Sequence, residues 1–192
     1  MTMTEDRVVA ALKEAGAILH GHFQLTSGRH SDTYVQCARV LEDPGLTTEL
    51  AAAMAERVAD KKIDMVAAPA VGGIIIGFAV AQALGVKFIF SERQNGLMTF
   101  RRSFTIEPGQ RVLVVEDVVT TGGSVAEVID LVGSAGGEAI AVTSIIDRGG
   151  DKAFTTEFLP LLRLEVESME PGDCPQCAVG TPIDSPGSRR LG

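Results

Sequence analysis

A chain of 192 residues with 45% hydrophobic residues is long enough to bury a full core within one α/β domain. Aromatic residues make up only 5% of the chain, which suits a parallel sheet rich in Val, Ala and Ile better than a β-sandwich. The formal net charge of −8 argues against a nucleic-acid binder, and no apolar stretch is long enough to span a bilayer.

Two helices are predicted in the first third of the chain. In residues 4–15, apolar residues recur at helical spacing, and Glu5 and Asp6 in the first turn complement the helix dipole. Residues 22–34 are rich in Gly, Ser, Thr and His and are predicted as loop and strand. Pro44 and Gly45 then introduce a second helix, residues 46–58.

The middle of the chain alternates between strand and helix patterns. Apolar runs predict four core strands and a fifth candidate, at residues 63–68, 86–91, 112–116, 139–147 and 161–166. Helices are predicted between them at residues 74–84 and 125–135. Such alternation implies an open, mostly parallel central sheet flanked by helices, with ligands at the carboxyl ends of the strands.

The segment 111–124 is the most informative part of the sequence. An apolar run rich in β-branched residues ends in two carboxylates, Glu116 and Asp117, and a turn of small residues follows from Thr120 to Ser124. Since a helix pattern begins directly after the turn, its N–H groups and hydroxyls can hold an anion at a helix N-terminus. The carboxylates instead suit sugar hydroxyls or a hydrated metal. We therefore predict a site for a phosphorylated sugar; an ordinary strand–loop–helix of a nucleotide-binding fold is the alternative.

This segment resembles the binding motif of the type I phosphoribosyltransferases, which bind 5-phosphoribosyl-1-diphosphate (PRPP). Their motif has an apolar run, two acidic residues, two apolar residues and a turn rich in Thr, Ala, Gly and Ser, and residues 112–124 match it. The resemblance implies that the carboxylates hold the ribose hydroxyls and the turn holds the 5-phosphate. The implied PRPP-binding residues here are Glu116, Asp117, Val118, Val119, Thr120, Thr121, Gly122, Gly123 and Ser124.

The resemblance also implies the type I phosphoribosyltransferase fold for the whole chain, as one domain over residues 1–192. In that fold, residues 1–40 contribute a small hood and residues 60–168 the core sheet. Residues 169–192 form a C-terminal extension, which we expect to be mostly irregular because Pro, Gly, Ser and Cys are frequent there.

Two further loops follow predicted core strands. The turn 69–73 includes Gly72 and Gly73, whose backbone can approach a ligand closely. In the family this turn holds the pyrophosphate, although a plain strand-to-helix turn is equally consistent with the segment. Arg148, which follows Asp147 at the end of another strand, is suited to the carboxylate of an acceptor base; an Asp–Arg ion pair is the alternative.

A long connection, residues 91–109, carries Arg93, Arg101 and Arg102 and contains neither Lys nor His. Loops of this length in compact domains are commonly functional lids. In orotate phosphoribosyltransferases the corresponding loop closes over the active site of the neighbouring subunit. The resemblance therefore implies that Arg93 binds PRPP in trans and that Arg101 and Arg102 are catalytic lid candidates. A solvated hairpin with ordinary surface arginines is the alternative.

The N-terminal segment narrows the acceptor base. Phe23-Gln-Leu-Thr-Ser-Gly-Arg-His-Ser31 resembles the Phe-x-Leu-x-Ser-Gly-x-x-Ser motif of orotate phosphoribosyltransferases. In the tail, Cys174-Pro-Gln-Cys177 and Pro186-Gly-Ser-Arg189 resemble one bacterial and archaeal branch of that family. The implied orotate-binding residues are Thr26, Ser27, Thr120 and Arg148.

The implied reaction converts orotate and PRPP to orotidine 5′-monophosphate and pyrophosphate in de novo pyrimidine (UMP) synthesis. Mg²⁺ is the implied cofactor, held mainly through the substrate with no protein ligand assigned. The implied partners are the two substrates and a second copy of the chain, with the lid acting across a homodimer. Neither nucleic acid nor a membrane is expected as a partner, and the absence of a charged-then-apolar leader predicts a cytoplasmic location.

Two alternative functions stay open. A lid without lysine is consistent with a PRPP-binding regulatory protein that has lost efficient transfer. A phosphoribosyltransferase for another base, such as xanthine, is the other.

The tail cysteines and the histidines are a separate question. Cys174 and Cys177 supply two of the four ligands of a structural zinc site, so two tails meeting across a dimer would complete it. A redox pair and a plain turn with two reduced thiols are the alternatives. His20, His22 and His30 are not expected to form a metal site by themselves, and His30 is assigned to the substrate pocket.

Overall fold

Helices cover both faces of a central sheet in the structure, a computed structural model that describes residues 3–25, 27–150 and 153–186. A small hairpin precedes this sheet and pairs β1 (Ile18–Gln24) with β2 (His30–Val35). The central sheet has the order β5-β4-β3-β6-β7-β8. Its strands are β3 (Met65–Pro69), β4 (Lys87–Gln94), β5 (Leu97–Phe100), β6 (Arg111–Val119), β7 (Glu138–Asp147) and β8 (Leu162–Arg163).

The helices begin and end at residues suited to their positions. They are α1 (Glu5–Glu14), α2 (Ala38–Leu41), α3 (Pro44–Arg57), α4 (Gly72–Leu84), α5 (Gly123–Ser134) and α6 (Pro175–Ala178). The hydroxyl of Thr4 accepts a hydrogen bond from the N–H of Arg7, and the carboxylate of Asp43 accepts one from Gly45, so both helix starts are capped. Among the described residues, none of the helices is both long and apolar enough to cross a membrane.

The parallel strands are buried on both faces, which is why they read as continuous apolar runs. On β6, Leu113 and Val115 pack into the cluster that contains residues of α1, α3 and α4. Their neighbours Val112 and Val114 face the other way and pack with residues of α5. Only β5 at the edge runs antiparallel, so the prediction of an open, mostly parallel sheet flanked by helices is confirmed.

Several elements differ from their predicted bounds. Strand β6 continues past the acidic pair, because its pairing with β7 extends to Val119 and Asp147. The long connection is not a free loop throughout, since β4 and β5 form a hairpin within it. Asn95 and Gly96 have φ angles of +52° and +82°, and Asn-Gly favours such tight hairpin turns, so the signal was present in the sequence. The short helix α2 was not predicted.

The tail is hydrogen-bonded to the β1–β2 hairpin and contains a 3-10 turn, Pro171–Asp173, and α6. His30 and Met169 exchange two backbone hydrogen bonds, each 2.9 Å long. Asp184 accepts a hydrogen bond from the N–H of Gln24 and donates one to the carbonyl of His22, both at 2.8 Å. The division of the chain into hood, core and extension stays a prediction. Thr26 and the Gly187-Ser188-Arg189 part of the tail motif lie outside the described residues.

Candidate active site

The two acidic residues of the motif lie near the carboxyl end of β6, in the middle of the sheet. Glu116 is buried and Asp117 half-buried, and neither forms an ion pair with a described residue. Burial raises the pKa of Glu116 well above its usual value, and the neighbouring Asp117 carboxylate raises it further. Burial likewise raises the pKa of Asp117. An acidic pair left without a cation is suited to a ligand that brings hydroxyl donors or a metal ion.

The turn after the acidic pair is open at the N-terminus of a helix. Thr120 and Thr121 are exposed, and α5 begins at Gly123 after an N-cap residue, Gly122, that makes no side-chain cap. Because α5 has 12 residues, the N–H groups of its first turn and its dipole together favour an anion at this position. The turn therefore lies where a helix N-terminus favours an anion, and its binding of the 5-phosphate stays a prediction.

Close backbone packing fixes the shape of this turn. Gly122 has a φ of +73°, and a Cβ there would lie 2.2 Å from the carbonyl oxygen of Gly150. A Cβ on Gly150 would in turn lie 2.8 Å from both the nitrogen of Gly122 and the carbonyl oxygen of Thr120. These contacts leave no room for a side chain. They join the turn to the loop that carries Arg148.

The loop after β3 lies against the acidic pair. A Cβ on Gly72 would lie 2.7 Å from Oδ1 of Asp117, and one on Gly73 would lie 3.1 Å from Oε1 of Glu116. The peptide bond between Ala70 and Val71 is cis. The segment is a strand-to-helix turn whose glycines allow close approach to the two carboxylates, and its contact with pyrophosphate stays a prediction.

At the end of β7, the strand-end ion pair is formed by a different arginine from the one considered in the sequence. Asp147 accepts a hydrogen bond from Nη1 of Arg163 at 3.0 Å and from the N–H groups of Gly149 and Gly150. Arg148 is half-buried, and its Nε has no hydrogen-bond partner among the described residues. Burial lowers the pKa of Arg148. Its guanidinium is therefore suited to an anion from outside the chain.

The N-terminal hairpin supplies neighbours of this arginine that the sequence motif did not single out. Burial raises the pKa of the Tyr34 hydroxyl, whereas the charge of Arg148 opposes that increase. Cys37 is fully buried, and burial raises the pKa of its thiol well above the usual value. Tyr34 of β2 therefore lies within electrostatic range of Arg148, a long-range arrangement for which the sequence offered only the position of Tyr34 shortly after the Ser-Gly motif.

The lid arginines lie on the β4–β5 hairpin and beyond it, and two of them have carboxylate partners within the chain. Arg93 donates to Oε1 of Glu127 on α5 at 2.5 Å, a partner that no sequence pattern indicated. Arg102 makes two 2.9 Å hydrogen bonds to Glu92, whose pKa it lowers. Arg101 is exposed. The hairpin with surface arginines, the alternative interpretation, describes this arrangement, and contacts of the arginines with PRPP stay a prediction.

The remaining predicted residues, Ser27 and His30, lie in different surroundings. Ser27 is exposed, and its hydroxyl accepts a 3.4 Å hydrogen bond from the N–H of Arg29. The ring of His30 lies beside His22 and the two tail cysteines, and its place in the substrate pocket stays a prediction. The histidines were not expected to form a metal site by themselves; the fold brings His22 and His30 to Cys174 and Cys177, whose sulfurs the sequence did not place beside them.

A family model described as the phosphoribosyl transferase domain matches residues 37–157, more than half of the chain. The chain therefore belongs to the phosphoribosyl transferase family. The matched range includes the acidic pair, the turn, both glycine loops and the lid arginines.

Individual relatives and solved structures show which members of this family the chain is similar to in sequence and fold. The orotate phosphoribosyltransferase of Chlorobium phaeobacteroides (strain BS1) is 50% identical over 190 residues, which cover 98% of each chain. That of Pelotomaculum thermopropionicum is 50% identical over 192 residues, covering 98% of this chain and all of the relative. The orotate phosphoribosyltransferase structure from Mycobacterium tuberculosis in complex with inorganic phosphate has a TM-score of 0.65 at 28% identity, covering 83% of this chain and 96% of the other. The predicted resemblance to orotate phosphoribosyltransferases is confirmed.

Proposed function

We propose that this chain is an orotate phosphoribosyltransferase, which converts orotate and PRPP to orotidine 5′-monophosphate and pyrophosphate in de novo pyrimidine synthesis. The observation that carries the proposal is the arrangement at one edge of the sheet. The acidic pair of β6, the N-terminus of α5 and a half-buried arginine whose Nε has no hydrogen-bond partner among the described residues lie at the carboxyl ends of β6 and β7. The relatives described above are consistent with this substrate pair.

The donor occupies the acidic pair and the turn. The N–H groups and hydroxyls from Thr120 to Ser124 bind the 5-phosphate, and Glu116 and Asp117 bind the ribose hydroxyls. The loop at Gly72 and Gly73 lies next to the acidic pair and so faces the pyrophosphate end of PRPP. The 5-phosphate of PRPP thus contacts N–H and O–H donors, and its ribose hydroxyls contact carboxylate acceptors.

The acceptor occupies the side of the turn that faces Arg148. The guanidinium of Arg148 binds the carboxylate of orotate, and Thr120 contacts the base from the donor side. Thr26 and Ser27 are proposed as further contacts to orotate from the hairpin. A carboxylated base is favoured because an uncharged base would leave the Arg148 charge half-buried without a partner.

The reaction breaks the bond between C1 of the ribose and the pyrophosphate oxygen, and the electron pair leaves with pyrophosphate. A bond then forms between C1 and a ring nitrogen of orotate, whose proton passes to solvent. Positive charge builds on the ribose in between, as in other glycosyl transfers, so the nearby carboxylates stabilise it when ionised. Binding both substrates on rigid strand ends supplies their orientation.

Mg²⁺ is the cofactor of the proposed reaction. Two buried carboxylates without a cationic partner fit a ligand that carries a metal ion, because the ion offsets their charge. The ion would neutralise negative charge on the pyrophosphate, held mainly by substrate oxygens and water.

We also propose a homodimer in which the β4–β5 hairpin crosses to the neighbouring active site. Ile75 and Phe78 on α4 are 52% and 59% exposed, and Leu97 at the hairpin tip is 74% exposed. Apolar side chains exposed this close to a site suit a protein interface. The in-trans roles of Arg93, Arg101 and Arg102 depend on this assembly. Cytoplasmic location is part of the proposal, and the three cysteines, all free thiols, are consistent with a reducing compartment.

A PRPP-binding regulator is the second candidate, and the pairing of the lid arginines favours it. Arg93 and Arg102 are both engaged with carboxylates of their own chain, so they must leave Glu127 and Glu92 before they can contact PRPP. The proposed enzyme needs these arginines over the reacting PRPP, whereas a regulator can bind PRPP through the turn and the acidic pair alone.

The two candidates are separated by the absorbance change of orotate consumption with PRPP and Mg²⁺, with xanthine, uracil and adenine tested in parallel. We expect orotate alone to be consumed, with one pyrophosphate released per orotate. Binding of PRPP in calorimetry without transfer to any of these bases would instead support the regulator. Consumption of xanthine in preference to orotate would contradict the assignment of Arg148 to the orotate carboxylate.

A further inference from the structure

We propose that His22, His30, Cys174 and Cys177 form a structural zinc site within a single chain. One ligand atom from each residue, two imidazole nitrogens and two sulfurs, lies within 4.8 Å of all the others. This set is formed by two strands of the N-terminal hairpin and the start of α6 in the tail. The proposal rests on these side chains alone and does not depend on the proposed activity.

Four of the six distances between the ligand atoms are close to those of a tetrahedron around zinc, and the other two are within 4.8 Å. Nε2 of His22 lies 3.1 Å from Nδ1 of His30, and it lies 3.4 and 3.6 Å from Sγ of Cys174 and Cys177. Sγ of Cys177 lies 3.3 Å from Nδ1 of His30. Ordinary Zn–N and Zn–S bond lengths at tetrahedral angles give about 3.3 Å between two nitrogens and about 3.6 Å between nitrogen and sulfur. The set is therefore already close to the size that a zinc ion requires.

The hydrogen bond of the first histidine favours the tautomer that a metal needs. Nδ1 of His22 lies 2.9 Å from the carbonyl oxygen of Thr181. A carbonyl can only accept, so Nδ1 carries the proton and Nε2 presents its lone pair to the other three ligand atoms. Metal-binding histidines usually have such a carbonyl partner, which also fixes the plane of the ring.

The local fold explains why only two of the three histidines reach this site. In the hairpin, Phe23 pairs with Ser31 and Gln24 with His30, so His22 and His30 point to the same face of the two strands. The register shifts between His20 and Phe23, and this bulge turns His20 away, where it is exposed beside Thr33.

The burial of three of the four side chains indicates that the cluster has a structural role. His22, His30 and Cys174 are 5%, 6% and 4% exposed, whereas Cys177 lies at the surface. The tail residues around them make few apolar contacts, since α6 and the 3-10 turn have no buried residue. Without a core of its own, the tail would be attached to the hairpin mainly by hydrogen bonds. A metal ion bound by both segments would supply the additional stabilisation.

Ligand chemistry favours zinc over other ions and over a disulfide. Two thiolates and two imidazoles in a tetrahedron are typical of zinc, whereas Mg²⁺ takes oxygen ligands in an octahedron. A Cys174–Cys177 disulfide would use both sulfurs and leave the two facing imidazole nitrogens unexplained. A site shared between two tails would need four cysteines and no histidine.

Metal analysis of the full chain, purified without chelators or a metal-affinity tag, tests the proposal. We expect about one zinc per chain, and loss of that zinc in His22→Asn and Cys177→Ser. Two matched controls should keep it: His20→Asn changes an exposed histidine of the same strand, and Cys37→Ala removes the thiol that lies outside the cluster. Circular dichroism of each variant shows whether the remainder of the chain is folded.

Replacing zinc by Co²⁺ provides a second measurement that does not depend on any variant. We expect intense visible d–d bands typical of tetrahedral cobalt and a thiolate-to-metal charge-transfer band in the near ultraviolet. A content of half a zinc per chain, unchanged in the His22→Asn variant, would overturn the proposal. It would instead indicate a site shared between two tails. Absence of zinc together with a Cys174–Cys177 disulfide, or with two thiols that alkylate freely, would overturn it as well.

Discussion

Arg148 is half-buried, and its Nε has no hydrogen-bond partner among the described residues. Burying a guanidinium without a partner is costly, so such a residue is usually kept for a ligand. Arg163, at the same end of the sheet, has a carboxylate partner in Asp147. The two arginines therefore differ in the property that matters for binding an external anion.

Arg148→Ala should weaken the use of orotate far more than the binding of PRPP. Loss of a charged hydrogen-bond donor costs about 1.5–3 kcal/mol, so kcat/KM for orotate should fall roughly 10- to 100-fold. Steady-state kinetics with orotate and calorimetry with PRPP measure the two effects. Arg163→Ala is the matched control and should leave both nearly unchanged. Equal losses for the two substrates in Arg148→Ala would remove its assignment to orotate.

Glu116→Gln should stabilise the ligand-free protein at neutral pH while PRPP binding falls. Burial raises the pKa of Glu116 in the folded state, so the folded chain holds more protons than the unfolded chain at pH values between the two pKa values. The free energy of unfolding therefore decreases as the pH rises from the ordinary carboxyl pKa through the raised one. Because glutamine keeps an acceptor oxygen without the charge, the decrease in the free energy of unfolding with rising pH should be smaller in Glu116→Gln.

Urea unfolding across that pH range, without PRPP, measures the effect of Glu116→Gln. Glu138→Gln is the control, because its side chain is 67% exposed at the beginning of β7. The control should leave the pH dependence as it is. A Glu116→Gln protein that is less stable than the original at neutral pH would show that the ionised carboxylate has a stabilising partner.

At the scale of elements, the connection from β6 to α5 depends on backbone that tolerates no side chain. Gly122→Ala would place a methyl group against the Gly150 carbonyl oxygen at a residue with positive φ. Strain of this kind costs about 1–3 kcal/mol, so we expect lower stability by that amount and weaker PRPP binding. Denaturant unfolding and calorimetry measure both.

Gly133 provides the opposite case in the same helix. It lies within α5, and a Cβ there would meet nothing within 4 Å. Because alanine loses less backbone entropy than glycine in a helix, Gly133→Ala should raise the free energy of unfolding by about 0.5–1 kcal/mol. If both alanine variants changed stability in the same direction, the packing of the turn would not be what limits Gly122.

At the scale of the whole molecule, the exposed apolar side chains of α4 bear on assembly. Phe78→Asp should convert a homodimer to a monomer, because a carboxylate in an apolar interface loses its hydration without gaining a partner. Light scattering coupled to size-exclusion chromatography gives the mass. Val179 is 79% exposed in the tail, so Val179→Asp is the control and should stay dimeric. A monomeric unchanged chain would contradict the proposed dimer and the in-trans lid.

The sequence alone determined the parallel sheet and located the acidic pair and the turn after it, because both depend on short-range patterns. Continuous apolar runs predict strands buried on two faces, and the acidic pair with its small-residue turn lies within residues 112–124. Their chemistry follows from spacing, so the carboxylates and the helix N-terminus could be assigned before the fold was known. The Asn95-Gly96 pair also predicts a hairpin turn from local sequence, although the lid interpretation of residues 91–109 did not include one.

The tertiary structure alone decided the partners that lie far apart along the chain. Asp147 could pair with Arg148 or with any nearby arginine, and the arrival of β8 beside β7 brings Arg163 to it instead. His22 meets Cys174 across 152 residues because the tail returns to the hairpin. Such contacts depend on strand order and on a bulge in one strand, and no local pattern encodes either of them.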